Sequence, residues 1–345
     1  LTVQHSWQRD PGPRLEDSTD LDSGKLLGPC ITRVPAGGYR LYYTGVGPAK
    51  PFPECQGYIL SAFSEDGFTF QPDPGIRVAP PWNGSTGRLR ALVPSVTPCA
   101  DGSWRMYYQL SGPADDPCSI GSANSTDMLH WNIEPGIRLK DTTGVRSPRF
   151  VSLPSGGGRL YCTVSMEQDG QHTFGVRSAV TRDGLAFEWE QGWRLSFDGA
   201  EDDTMSISAA EVVPPTKHGG SWTMFYSAWQ DVPAGTVVPT HPSNNVHAIH
   251  DGSSKNFAET SIAVDMAGYR SRIFVTQSVD GLHWEQGECI LEGRGYGNHG
   301  IDAVHAEDMS LLHLSAKQYR MYYAGCDSQG IWRIASASGT ISASS

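Results

Sequence analysis

The sequence predicts an all-β fold: one domain over residues 1–345, built as a five-bladed β-propeller of four-stranded antiparallel blades and closed by its N-terminal strand. Three observations predict it. A turn followed by an aromatic strand recurs five times, a second hairpin follows each of the first four copies, and the opening segment copies an outer strand that the last copy lacks. Self-similarity of this kind is the signature of repeat architectures.

The first repeat carries an aromatic pair on a short strand: Tyr42-Tyr43, Tyr107-Tyr108, Phe225-Tyr226, Tyr322-Tyr323 and, more weakly, Leu160-Tyr161. A Gly-rich turn and another apolar strand precede each pair, so segments 31–45, 96–110, 151–164, 212–228 and 311–325 align. The second repeat runs Ser64-Glu65-Asp66-Gly67-Phe68-Thr69-Phe70 and returns at 125–131, 181–187 and 278–284. It reads as a strand, a tight turn and a strand with an aromatic anchor, the Asp bonding its own turn backbone. The third observation concerns the chain ends. Segment 5–15 matches 129–139 and 68–78, which predicts the outer strand of the final blade, with 331–338 as its neighbour. Pairing the two ends removes an edge that would otherwise invite association. Residues 230–260 interrupt the fourth blade as an inserted loop, predicted to rise over one face.

Composition narrows the functions. Gly (39) and Pro (23) are frequent and aromatics reach 10%, as short strands and tight turns require. A net charge of −11 gives no basic field for nucleic acid, and no apolar run is long enough for a membrane helix. The expected partner is a carbohydrate or another small molecule, and the expected state a monomer or weak oligomer. The opening Leu1 leaves the compartment open between secreted and cytoplasmic. The seven cysteines form no CxxC pair. Cys55 and Cys118 lie in loops and could pair, while Cys30, Cys99 and Cys162 lie in strand-like runs and suit small buried hydrophobes.

In a propeller the first strand of every blade lines the axis. Five entries align: Gly28-Pro29-Cys30-Ile31, Val93-Pro94-Ser95-Val96, Ser147-Pro148-Arg149-Phe150, Ala209-Ala210-Glu211-Val212 and Ala306-Glu307-Asp308-Met309. The third column then holds Cys30, Ser95, Arg149, Glu211 and Asp308, and the position before the first holds Leu27, Leu92, Arg146, Ser208 and His305. Glu211 and Asp308, from neighbouring blades, are candidate catalytic acid and base, because paired carboxyls in unlike environments divide those roles. His305 is a candidate base. Arg146, Arg149 and Arg90 are candidate anchors for a carboxylate, phosphate or sugar hydroxyl, with Glu307 and Trp229 as further substrate contacts. The alternative for the acids and arginines is a buried ion pair tying blades together. No cofactor is firmly predicted. A divalent metal in the axial channel is considered: His299, Asp302, His305, Glu307 and Asp308 could ligate it or be plain strand polarity, Glu201, Asp202 and Asp203 read as a calcium-like site or a solvated acidic turn, and His241, His247 and His250 in the long loop have a zinc-compatible spacing. Trp82, like Trp229, could stack on a sugar or simply pack.

The Tyr-Tyr-x-Gly strands, the Ser-x-Asp-Gly-x-x-Trp turns and the closure by the N-terminus together resemble the five-bladed glycoside hydrolase superfamily. That group includes the arabinanase/β-xylosidase, invertase-like and mannoside-phosphorylase families. The resemblance spans about residues 5–338 and implies a carbohydrate substrate with acid/base chemistry at the axial funnel. The arabinanase/xylosidase group carries an Asp before the blade-one Pro, another before the blade-three Pro, and a Glu at the blade-four entry. Here those places read Gly28, Ser147 and Ser208, so the triad is not intact; Glu211 is the displaced replacement for the last. Segment 145–150 resembles the Asp-Pro-Arg segment of the phosphorylase-like group without its acid. The expectation is a divergent enzyme acting on a sugar or glycoside. The alternatives are a lyase, cyclase or isomerase using His305 as base, and a non-catalytic glycan-binding module.

Overall fold

Strands form here because apolar and small residues alternate between the Gly and Asp-Gly turns that bound them. The computed structural model describes residues 4–82, 87–112, 116–168, 171–196, 206–215, 220–238, 262, 264–315 and 317–342. The chain opens with β1 (Gln4–Arg9). One sheet follows from β2 (Lys25–Arg33), β3 (Tyr39–Val46), β4 (Tyr58–Ser64) and β5 (Gln71–Pro72). The next comprises β6 (Arg90–Pro98), β7 (Trp104–Ser111), β8 (Ser119–Ser125), β9 (Asn132–Ile133) and β10 (Leu139–Lys140). A third comprises β11 (Val145–Ser152), β12 (Gly158–Gln168), β13 (Gln171–Thr181) and β14 (Glu188–Trp189). The last sheet joins β15 (Ser206–Val213), β16 (Trp222–Asp231), β17 (Tyr269–Ser278) and β18 (Glu288–Glu292) to β19 (His305–Ser315), β20 (Gln318–Cys326), β21 (Trp332–Ser342) and β1. Its two antiparallel groups touch through one parallel bridge, Ser271 to His305. The architecture is all-β, and among the described residues no helix is long and apolar enough to cross a membrane.

The opening strand pairs antiparallel with the closing one, from Gln4 opposite Ser342 to Arg9 opposite Ala337. Beyond it the Asp10 N–H donates to the Ser336 carbonyl at 2.9 Å, and Leu15 bridges Ile334. A repeated clasp explains this register. Arg40, Arg105 and Arg159, each on the second strand of its unit, pair with Asp73, Glu134 and Glu190 at 2.9, 2.9 and 2.8 Å. Ser61, Ser122 and Ser178, each on the third strand, donate to the same acids at 2.6 Å. Arg320 and Ser336 make the same clasp with Asp10, at 3.6 and 2.6 Å. Asp10 therefore stands where the other units place a fourth-strand acid. The β15–β18 unit has Thr223 at the arginine position.

The units are stitched in series by their aromatics. Tyr42 O–H donates to the Met128 carbonyl, Tyr107 to Gly184, Tyr161 to Gly281 and Tyr322 to Gly67, at 2.6 to 2.9 Å. Each hydroxyl enters the Asp turn of another unit. Phe225 has no hydroxyl and instead takes the edge of Trp7, ring centroids 5.5 Å apart. The Asp turns behave as their sequence requires. The Asp66 carboxylate accepts the Phe68 and Thr69 N–H groups at 2.7 and 2.9 Å, which holds its pKa down at about 2.

Three details correct the sequence reading. Tyr161, not Leu160, occupies the Tyr42 position, since it faces Arg149 as Tyr42 faces Cys30. In β19 the alignment is two residues out. Ser310 faces Tyr322, so Ser310 belongs to the third column, and Asp308 takes the place of Gly28, Val93 and Ser147. All seven cysteines are free thiols, so Cys55 and Cys118 do not pair. The first part of the predicted inserted loop continues β16; residues 239–261 lie outside the described residues.

Asp10→Ala should lower stability by about 1–3 kcal/mol, because it strands the buried Ser336 hydroxyl and one guanidinium. Glu16→Ala, removing a largely exposed partner of Arg333, should stay within about 0.5 kcal/mol. Urea unfolding of the two variants checks the contrast.

Candidate functional site

Four first strands break their ladder at the same place, and β15 breaks one residue earlier. Register shifts fall at Leu27/Cys30, Leu92/Ser95, Arg146/Arg149, Ile207/Ala209 and Glu307/Ser310. The turning residue has a left-handed backbone in four of them: Gly28 (φ 60°), Val93 (49°), Ser147 (47°) and Asp308 (53°). Three of these carry a side chain in a region that L residues avoid, a strain that persists only when surroundings over-determine it. The surroundings are visible. Thr44 Oγ1 accepts the Val93 N–H at 2.9 Å, Gln109 Oε1 that of Ser147 at 3.3 Å and Ser227 Oγ that of Asp308 at 3.2 Å. In each case the polar residue just after the aromatic pair of one unit satisfies the bulge of another.

The bulges turn carbonyls toward one buried guanidinium. Arg149 is 3% exposed. Its Nη1 donates to Pro94 and Pro148 carbonyls at 3.0 Å, and its Nη2 to Pro29 and Met309 at 3.2 and 3.4 Å. Glu211 Oε2 lies 2.9 Å from Arg149 Nε, an ion pair by distance whose N–H is misaligned for a hydrogen bond. The other Glu211 oxygen accepts the Leu311 N–H at 3.3 Å. Burial pushes the Glu211 pKa up and Arg149 pulls it back. Arg149 and Glu211 thus join β2, β6, β11, β15 and β19. Neither lines the cavity described next, and the geometry matches the ion-pair alternative for both.

A cavity of about 720 Å³ opens beside this hub. Its lining includes Arg146, Ser147, Ser208, Trp229, Glu307 and Asp308. On a regular strand Glu307 and Asp308 would face opposite ways. The bulge at Asp308 removes that alternation, and both residues line the same cavity. Both residues are buried, at 7% and 6% exposure. Burial, then the Asp308 charge, drives the Glu307 pKa well up. Burial also raises Asp308, to about 6, against the downward pull of Arg149 and Lys25. Burial therefore disfavours the charged form of both carboxyls, and more strongly for Glu307 than for Asp308.

Behind Glu307 the packing is rigid. Trp229 Nε1 donates to the Glu307 carboxyl. The Trp229 ring stacks on His305 with centroids 4.5 Å apart, and His305 stacks on Trp332 at 5.4 Å. His305 has no exposed surface, and both its nitrogens are engaged, Nδ1 with Ser271 Oγ at 3.1 Å and Nε2 with the Asp265 carbonyl at 2.7 Å. Burial lowers its pKa to about 4, so it is neutral, with Nε2–H donating and Nδ1 accepting. This removes the geometric basis for His305 as a base at the cavity; it supports Trp229 instead. Asp265 is held by Lys25 Nζ at 2.6 Å and Trp332 Nε1 at 2.9 Å.

The remaining candidates separate. Arg146 lines the cavity, its guanidinium 4.5 Å from the Phe174 ring centre. Arg90 is not in the lining; its Nη2 donates to the Gly112 carbonyl at 3.5 Å. Trp82 stacks on Phe52 at 4.9 Å. Asp302 is taken by Arg9 and Tyr323 at 2.6 and 2.8 Å, away from His305 and Glu307. Among the described residues no three His, Cys, Asp or Glu side chains converge as a metal site. Glu201, Asp202, Asp203, His241, His247 and His250 lie outside the described residues. Sequence reasoning did not single out Gln109, Phe174 or Tyr269 as lining residues. Gln109 carried a signal, since it follows an aromatic pair as Thr44 and Ser227 do; Phe174 and Tyr269 carried none.

No protein-family model matches the chain, and no curated protein matches it. Solved structures do. A glycoside hydrolase superimposes with a TM-score of 0.67 at 12% identity, covering 96% of this chain and 92% of that one. A β-1,2-mannobiose phosphorylase from Listeria innocua, in complex with β-1,2-mannobiose, gives 0.66 at 13%, covering 96% of each. An N-acetylgalactosamine deacetylase from F. plautii, in complex with blood group B trisaccharide, gives 0.62 at 13%, covering 97% and 95%. The chain shares the fold of these glycoside hydrolase-like propeller proteins.

Glu211→Ala should destabilise the protein by about 3–5 kcal/mol, because it leaves a buried guanidinium uncompensated. Glu307→Gln, which removes a buried carboxyl that burial already disfavours in its charged form, should leave the melting temperature unchanged or raise it. Thermal and urea unfolding of both variants checks the pair.

Proposed function

We propose that the chain is a single-domain, five-bladed propeller closed by its opening strand, and an enzyme acting on a glycoside in the cavity at its axis. The observation that carries this reading is the Glu307–Asp308 pair: two buried acidic residues, adjacent in sequence, that line one cavity at a bulge. Five antiparallel strand groups, the pairing of β1 with β21 and the serial aromatic contacts support the ring. The fold shared with sugar-acting proteins supports the substrate class.

The chemistry follows from the two protonation states. Protonated Glu307 donates to the leaving glycosidic oxygen. Ionised Asp308 takes a proton from the attacking nucleophile. Separating acid from base by environment lets both act at one pH. Trp229 lines the cavity, and its N–H holds the Glu307 carboxyl in place. Stacking of an apolar sugar face on that ring would orient the bond to be cleaved. Ser147 and Ser208 fill the places where the resembled families keep acids, so the acids here are supplied by a different strand, β19.

Turnover of a panel of aryl glycosides and disaccharides, with and without inorganic phosphate, tests the reading. Glu307→Gln and Asp308→Asn should each lower kcat/KM by about 10²–10⁴-fold. The acid limb of the wild-type profile should fall away below about pH 6, as Asp308 takes up its proton. Burial sets that value first; Arg149, Lys25 and the Gly28 N–H pull it down and Asp265 raises it. Turnover that both variants leave intact would contradict the assignment.

A further inference from the structure

One cation lines the cavity among the described residues, and it is Arg146. Its Nε is buried without a hydrogen-bond partner, and its guanidinium is held over the Phe174 ring rather than by an acid. The neighbouring Thr173 also lines the cavity, and its Oγ1 is buried without a partner. A second cation stands behind: burial lowers the pKa of the half-buried Arg90, and the Arg146 charge lowers it further. Arg146 as a whole is half-buried, but a buried guanidinium N–H is expected to be paired, because leaving it unsatisfied costs free energy. Stacking on an aromatic face leaves the edge N–H groups of an arginine free to form a planar fork.

We propose that Arg146 binds the carboxylate of an acidic sugar unit, so that the substrate class is a saccharide carrying a uronate. This rests on the glycoside reading above. The fork matches a planar carboxylate with two parallel hydrogen bonds. Charge balance selects a monoanion over phosphate. The lining holds one cation and the mostly ionised Asp308, so a single negative charge on Arg146 leaves less repulsion than a dianion would. The wall that positions the substrate and the wall that moves protons come from different strands, β11 and β19.

Calorimetric titration at pH 7 tests this with methyl glucuronoside and methyl galacturonoside, against methyl glucoside, methyl galactoside and inorganic phosphate. The uronosides should bind about ten- to a hundred-fold tighter than their neutral counterparts. Arg146→Met should bring the uronosides down to the affinity of the neutral glycosides. Arg146→Lys, which keeps the charge and loses the fork, should retain part of the preference. A melting curve for each variant separates loss of the preference from loss of the fold. Equal affinity for charged and neutral sugars, a preference that survives Arg146→Met, or phosphate binding more tightly than the uronosides would each overturn the proposal. Neutral glycosides binding without any uronate preference would leave the glycoside reading standing; no binding by any glycoside would contradict both.

Discussion

One guanidinium holds the first strands of the chain's repeated units together. Each of those strands is broken by a bulge, and a bulge turns carbonyls out of the ladder. Buried carbonyls without partners would cost about 1–3 kcal/mol each. Arginine is the one side chain with enough donors in a fixed plane to meet several at once. Arg149 bonds carbonyls on β2, β6, β11 and β19, and Glu211 on β15 balances its charge. The result is a small polar knot under the aromatic strands, where a purely apolar core could not have satisfied the backbone.

The bulges that require this knot also build the candidate site. At Gly28 a left-handed turn costs little, whereas at Asp308 it sets a charged residue in a strained backbone. The strain is held by Ser227 on the backbone N–H and by the ladder that resumes at Ser310. In return, two neighbouring acidic residues line one cavity and differ in environment. Burial dominates both shifts; Lys25 tempers both, and Arg149 tempers that of Asp308. A site of this kind subtracts from stability what it contributes to chemistry. The stacked Trp229, His305 and Trp332 rings give it a stiff back wall.

Much of this was legible in the residues. The Asp turns and aromatic strands are local patterns, and local patterns survive folding. The opening segment was legible because it repeats an outer strand, and the Asp10 clasp is the physical content of that match. The register of β19 was not. Its bulge carries Asp308-Met309 where three other strands carry proline in the second place, so nothing marked it, and Asp308 was placed two residues away from its true column. The roles of Glu211 and Arg149 were also hidden. An acid in the right column reads alike as a catalyst or as a counter-ion, and only the convergence of distant strands decides between them. His305 misled for a similar reason: its sequence neighbours are acids, but its spatial neighbours are two indoles, a hydroxyl and a carbonyl.

The most direct test of this account is the ionisation of Glu307. Protein labelled with ¹³C at glutamate carboxyls can be titrated by NMR, with Glu307→Gln to assign the resonance and Asp308→Asn to expose the coupling. The account predicts a Glu307 carboxyl still protonated at pH 7, whose titration moves down when the Asp308 charge is removed. A Glu307 signal that titrates near the ordinary glutamate value of about 4.3, and is indifferent to Asp308→Asn, would contradict it.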